Sequence, residues 1–198
     1  MIWMDGLDVP LTLDLEAVFF EPYGGEQQQP AVVNGSERRY RVGQLKPATT
    51  PAAEGWPGLL NYKWAQTYDV LQSMTSADAS PYDDLALDYV NPYTGGPVLP
   101  TLACRAQRIR PDIHTIARRQ VNSKVYHVFQ GEGRSIIGGQ RFEWQQGDFF
   151  CVPTWTWHEH VNQGRTDAIL FSIEDTPVFK ALGWYREEEH PHGRQPRP

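Results

Sequence analysis

Downstream of Thr101 the chain follows a two-residue rhythm. Leu102, Cys104 and Ala106 alternate with Ala103, Arg105 and Gln107, the pattern of a strand with one face on a core. Lys124–Gln130 is rich in β-branched and aromatic residues. Arg134–Ile137 and Gln140–Trp144 flank Gly138-Gly139, a two-residue loop able to take the positive φ of a tight hairpin. Asp148–Val152, His158–Asn162 and Asp167–Ile173 read as further short strands. Such strands with regular turns predict an all-β sandwich or barrel over residues 101–186.

Upstream the rhythm differs. Leu60, Trp64, Tyr68 and Leu71 recur at helical spacing and predict one short amphipathic helix near residues 60–75. It sits in a Pro-, Gly- and Gln-rich arm expected to run from 21 to 100, with breakers at Asn91-Pro92 and Gly95-Gly96-Pro97. Residues 1–20 form a separate piece, in which Ile2-Trp3-Met4 reads as the inside of a strand. The charged, Pro-rich residues 187–198 are expected to be a disordered tail.

Charge and composition exclude some functions. A net charge of −6 over 198 residues gives no electrostatic reason to bind nucleic acid or an anionic membrane. The basic residues between Arg105 and Arg119 are expected to be a solvated strand edge. Two cysteines, Cys104 and Cys151, lie in apolar strand-like runs; one disulfide is open to them, and buried thiols in a reducing cytoplasm are the favoured reading. No apolar run approaches the ~18 residues of a membrane span. Met1–Asp5 lacks the basic and apolar regions of a signal peptide, so the expected location is the cytoplasm.

The candidate chemistry lies in Gly147–Asn162. Gly147, Pro153, His158 and Asn162 have the spacing of the second metal motif of a cupin barrel, in which a His on the strand after the Pro turn points inward. The matching upstream motif would offer a His-x-His pair and a carboxylate, since residues at i and i+2 of a strand share a face. Here those positions hold Arg118, Gln120 and Lys124. Arginine stays protonated and repels a dication, and a glutamine amide is a poor ligand for iron beside imidazole. His158 and His160 share one strand face and are the remaining metal-ligand candidates, with His127 or His114 conceivable as a third. The competing reading, which is favoured, makes His158 an internally hydrogen-bonded barrel residue, packs His160 near the mouth and leaves Glu159 solvated on the other face. His190-Pro-His192 has ligand-like spacing but no fold to fix it. Trp144, Phe149, Phe150, Trp155 and Trp157 are expected to fill the barrel and its mouth, the alternative being a pocket for a ring-shaped substrate.

Motifs along nearly the whole chain resemble the C-terminal half of gentisate 1,2-dioxygenase, a two-cupin family related to the salicylate and 1-hydroxy-2-naphthoate dioxygenases. They are Trp3–Pro10, Phe19–Tyr23, Asn61–Trp64, Asn91–Thr101, Val125–Val128, Gly131–Gly133, Trp155–His160 and Leu170–Val178. The resemblance implies an all-β cupin (jelly-roll, or double-stranded β-helix) barrel with an N-terminal arm, residues 1–20 being the remnant of an upstream first cupin. It implies Fe(II), O2 and cleavage of the ring of a small hydroxylated aromatic acid. In that family the iron sits in the first cupin, on a His-x-His pair and a later His that would lie upstream of Met1. Asp5 matches a family aspartate near the iron pocket, and a turn-capping role is the open alternative. On this reading the chain is a second-cupin half that does not hold iron or cleave rings alone, and that forms a homo-oligomer or pairs with an upstream half. Rival expectations are a metal-free cupin binding an aromatic acid through Arg118 and Trp157, or a purely structural half. The strand at residues 2–4, without its partners, would promote association.

Overall fold

The computed structural model describes residues 3–27, 29, 31–40, 48 and 60–196. The chain divides into two compact units, residues 1–61 with 92–94, and residues 62–91 with 95–198.

The N-terminal unit holds two short helices, α1 (Val9–Asp14) and α2 (Gly35–Tyr40). Pro10 lies in the first turn of α1, where a missing N–H costs nothing. Residue 2 of the strand expected at Ile2-Trp3-Met4 lies outside the described residues. Trp3 and Met4 are exposed and belong to no strand. Residues 28, 30, 41–47 and 49–59 of the expected arm also lie outside the described residues.

The second unit carries α3 (Trp64–Ser73), inside the span that helical spacing predicts. It also contains β1 (Leu85–Asp88), β2 (Ala103–Ile109), β3 (Arg118–Gln120), β4 (Lys124–Gln130), β5 (Glu132–Ile137), β6 (Gln140–Gln145), β7 (Phe149–Val152), β8 (His158–Val161), β9 (Ala168–Glu174), α4 (Thr176–Ala181) and β10 (Glu187–Glu189). The strands form two five-stranded antiparallel sheets, ordered β1-β2-β9-β4-β7 and β10-β3-β8-β5-β6. Ile109, Tyr126, Val128, Val152 and Leu170 of the first sheet meet Ile137 and Trp144 of the second in one buried cluster. Alternation explains which residues reach it, as Lys124, Tyr126 and Val128 of β4 are buried while Val125 is exposed. On the outside of the first sheet, Leu71 of α3 packs on Ala106 and Ile169, so residues 62–91, expected in the arm, belong to this unit.

Gly138 and Gly139 take φ of 58° and 77° and close the β5–β6 hairpin with Ile137 opposite Gln140, as their sequence predicts. Gly133 is needed for another reason: a Cβ there would stand 2.4 Å from Trp144 Cη2 and 2.6 Å from the Val161 carbonyl oxygen.

Three expectations are corrected. Glu187–Glu189 form β10, an edge strand of the second sheet, rather than part of a disordered tail; residues 197–198 lie outside the described residues. This acidic run pairs with β3, placing Glu188 opposite Arg119 with Nη2–Oε2 at 2.6 Å. Further on, the buried Gln195 side chain accepts from Gly139 N–H and donates to the Ile136 carbonyl. The basic cluster is not a solvated edge either. Arg105 bonds Asp83 and Asp88, Arg108 pairs with Asp167, and Arg110 pairs with Asp84. Both cysteines are free, but Cys151 is exposed, and only Cys104 is partly buried, which pushes its thiol up to about 11 with help from Glu174. Among the described residues, no helix is long and apolar enough to cross a membrane.

Candidate functional site

The residues expected to carry chemistry converge between the sheets, where β3, β4, β8 and β9 meet the segment containing Asp83. Arg118 on β3 lies directly opposite His158 on β8. Lys124 at the start of β4 lies opposite Glu174 at the end of β9.

His158 and His160, two residues apart on β8, are 3% and 1% exposed, with ring centroids 5.9 Å apart. His158 Nδ1–H donates to the Thr156 carbonyl at 3.1 Å, which leaves Nε2 as a lone pair. His160 is tied down further. Ser135 Oγ accepts from Trp144 Nε1–H at 2.9 Å and shares a hydrogen bond with His160 Nδ1 at 2.8 Å. His160 Nε2 has no protein partner among the described residues. Burial, then His160 and the cations Lys124 and Arg118, hold His158 well below the usual imidazole range. Burial lowers His160 to about 3 against the opposing pull of Asp83. His160 therefore sits in the interior rather than near the mouth, and both rings are neutral at pH 7.

The cations bring their own carboxylates. Arg118 Nη2 donates to Asp83 Oδ1 at 2.6 Å, and Arg105 Nη1 reaches Asp83 Oδ2 at 3.2 Å. Burial alone would raise the Asp83 carboxyl, but Arg118, then Arg105 and Lys124, hold it below its ordinary value. Lys124 Nζ stands 2.9 Å from Glu174 Oε2, with side-chain exposures of 3% and 10%. Burial lowers the Lys124 ammonium, and Glu174 opposes the shift. Asn122 Nδ2 donates to the same Glu174 oxygen at 3.3 Å. Gln120 Nε2 donates to Tyr185 Oη at 2.8 Å and Glu187 Oε2 at 3.1 Å.

This arrangement does not fit the Fe(II) that the family resemblance implies. Arg118 and Lys124 place two positive charges beside the imidazoles, and both nearby carboxylates are already ion-paired. Among the described residues, no group of three or more His, Cys, Asp or Glu side chains is placed to hold a metal.

The other candidates lie apart. His114 Nε2 bonds Glu159 Oε1 at 2.9 Å, and the Gln195 backbone N–H donates to Glu159 Oε2 at 3.0 Å. Glu159 is thus buried under the C-terminal segment and not solvated, and His114 serves it instead of a metal. His127 packs against Phe149, with ring centroids 4.6 Å apart and the planes tilted, on the opposite face of β4 from Tyr126. Trp157 meets Arg119, the neighbour of Arg118 on β3. Arg119, on the other face of β3, has its guanidinium 4.5 Å from the ring centroids of both Trp155 and Trp157, and His190 meets Trp157 edge-on at 4.9 Å. Phe150 stacks on Tyr126 at 4.8 Å and Trp144 is buried, whereas Phe149 is exposed. Asp5 is exposed in the N-terminal unit. Surface cavities of about 460, 530 and 560 Å³ are lined by residues other than Arg118, His158 and His160.

Sequence reasoning missed Asp83, Ser135 and Glu174. Asp83 sits in a stretch that reads as loop, and no local spacing connects it to Arg118, thirty-five residues on.

Known proteins supply the remaining context. The family model described as "Cupin domain" matches residues 112–174. The 5-aminosalicylate 1,2-dioxygenase of Comamonas sp is 39% identical over 198 residues, covering 96% of this chain and 50% of that protein. Gentisate 1,2 dioxygenase 1 of Aquipseudomonas alcaligenes is 32% identical, covering 96% and 54% respectively. The crystal structure of a salicylate 1,2-dioxygenase G106A mutant from Pseudoaminobacter salicylatoxidans in complex with gentisate superimposes with a TM-score of 0.76 at 29% identity, covering 93% of this chain and 52% of that one. The chain spans about half the length of the relatives it matches.

Proposed function

Given that the chain belongs with the gentisate- and salicylate-type 1,2-dioxygenases of the cupin family, we propose that it serves as the iron-free cupin module of a ring-cleaving dioxygenase acting on a small hydroxylated aromatic acid. The substrate class comes from the names of the relatives, among them enzymes for 5-aminosalicylate and gentisate. In this reading the reacting iron belongs to a different cupin from the one built by residues 101–186. Asp5, in the segment matching the family's iron-pocket aspartate, is the residue of this chain that would approach that centre.

The observation that carries the proposal is the pair of buried ion pairs, Arg118–Asp83 and Lys124–Glu174, at positions where a cupin places ligands. A dication entering there would have to displace two fixed cations from their carboxylates. The same observation counts against the metal-free binder, because the Arg118 guanidinium that would take a substrate carboxylate is already held by Asp83 at 2.6 Å.

Two measurements on the purified chain test this. After anaerobic loading with Fe(II) and desalting, elemental analysis should find far less than one iron per chain. An oxygen electrode should record no chelator-sensitive uptake with gentisate, salicylate or 1-hydroxy-2-naphthoate. Stoichiometric iron lost on His158→Ala, or substrate-dependent uptake abolished by a chelator, would overturn the proposal.

A further inference from the structure

We propose that the free edge of β6 is a self-recognition surface, through which two copies of this chain pair antiparallel about a two-fold axis at Phe142. β6 is the terminal strand of its sheet, bonded on one side to β5. Which of its backbone groups face outward follows from the hairpin. The two-residue turn makes Ile137 and Gln140 a hydrogen-bonded pair, so Gln140, Phe142 and Trp144 direct N–H and C=O toward β5. The same parity appears across β5, where the even-numbered side faces β8 and the Gly138 N–H donates to the Trp157 carbonyl at 2.8 Å. Arg141 and Glu143 therefore direct their backbone groups out of the sheet, and no backbone partner meets them there among the described residues.

A second observation lies next to that edge. An apolar groove of about 560 Å³ runs between β6 and β7, walled by Ile137, Phe142, Phe149, Phe150 and Pro153. Phe142 is 42% exposed and Phe149 is 55% exposed. An open edge with apolar side chains beside it invites a strand.

Charge selects the occupant. In antiparallel self-pairing the outward residues must face one another. Arg141 facing Arg141, or Glu143 facing Glu143, would set like charges directly opposite. The register between these puts Arg141 of each copy opposite Glu143 of the other, twice, and Phe142 opposite its own symmetry mate at a non-hydrogen-bonded position, where side chains approach most closely. Within one copy Arg141 and Glu143 already pair with each other on the solvent face of β6, so the exchange keeps each charge compensated. The same two charges resist an arbitrary strand, which does not supply their complements. Pairing in this register joins two five-stranded sheets into one and covers the groove in each copy.

The test uses the full chain in sedimentation equilibrium. The wild type should show a concentration-dependent monomer–dimer equilibrium. Arg141→Glu and Glu143→Arg should each weaken it by about tenfold or more, since two favourable cross-strand pairs become two like-charge pairs. Mixing the two variants should restore association, because every reversed site then faces its complement. Phe142→Cys in a Cys151→Ser background should form a covalent dimer on mild oxidation, whereas Gln140→Cys should not. A wild type that stays monomeric, or a dimer indifferent to both reversals, overturns the proposal. So do a mixture that fails to associate and a Phe142→Cys chain that does not cross-link. The mixing arm separates lost recognition from lost folding.

Discussion

Removing the Lys124–Glu174 pair one partner at a time tests whether the interior is held as a charge-balanced set. Lys124 Nζ lies 2.9 Å from Glu174 Oε2, and the two side chains are 3% and 10% exposed. Glu174→Gln leaves an ammonium in the interior beside Arg118, and breaking a buried pair in this way costs about 3–5 kcal/mol. Lys124→Met leaves a carboxylate that Asn122 still touches and that lies within electrostatic reach of Arg105, so its cost should fall toward the lower end of that range. The double variant removes both charges and should be less destabilised than either single variant, so the two changes are strongly non-additive. Denaturant unfolding followed by circular dichroism measures each corner of the cycle. In a thermal scan a single-variant loss of this size is roughly a 10 °C fall in midpoint. A pH arm adds a sign. Burial lowers the Lys124 ammonium, so the unfolded chain holds more protons than the folded one between the lowered value and the ordinary value near ~10.4. Stability therefore rises with pH through that window, and more steeply in Glu174→Gln, which lacks the opposing carboxylate. Single variants that each cost under about 1 kcal/mol and simply add would refute the reasoning, because an exposed pair behaves that way.

Two further predictions concern the same unit. His158 and His160 are neutral when folded and basic when unfolded, so the unfolded state binds more protons once pH drops below about 6.5. Stability is then present above that pH and lost on acidification, by up to about 1.4 kcal/mol per pH unit for each ring, and His160→Gln should flatten the slope between pH 6.5 and 4.5; equal slopes in variant and wild type would contradict the assignment. Gln195→Ala strips partners from the Gly139 N–H and the Ile136 carbonyl, and should destabilise the chain by about 1–3 kcal/mol in denaturant unfolding; an unchanged midpoint would mean that the C-terminal segment is not docked as described.

Much of the second unit was legible in the sequence because its signals are local. The Gly138-Gly139 turn, the alternation around Cys104 and Ala106, and the helical spacing of Trp64 and Leu71 each act over a few residues, and each element stands where those signals put it. The failures have a common cause. Glu187-Glu188-Glu189 reads as solvated until β3 supplies Arg119 as its opposite, and Glu159 reads as exposed until the segment around Gln195 covers it. The arginines from 105 to 110 look like a charged edge until Asp83, Asp84 and Asp88 are brought across from an apparent loop. At the candidate site the sequence identified Arg118, Gln120 and Lys124 as departures from a metal-binding pattern that His158 keeps. It could not identify the carboxylates that make the departures stable, because charge pairing carries no period along the chain.

That missing half explains why two inward imidazoles persist beside two cations. A third positive charge next to Arg118 and Lys124 would be uncompensated, so His158 and His160 can remain only as neutral hydrogen-bonding groups, one on the Thr156 carbonyl and one on Ser135. Arg118 and Lys124 stay charged because Asp83 and Glu174 face them. The substituted residues are therefore interdependent. Placing histidines at 118 and 120 would free Asp83 from one arginine while leaving it on Arg105, and would still leave Lys124 near the new imidazoles. Recovering a metal site requires removing Lys124 as well, which strips the buried Glu174 of its ion-pair partner. The step that removes Lys124 passes through an interior with an unpaired buried charge, which is a physical reason for the fold to keep this ion pair.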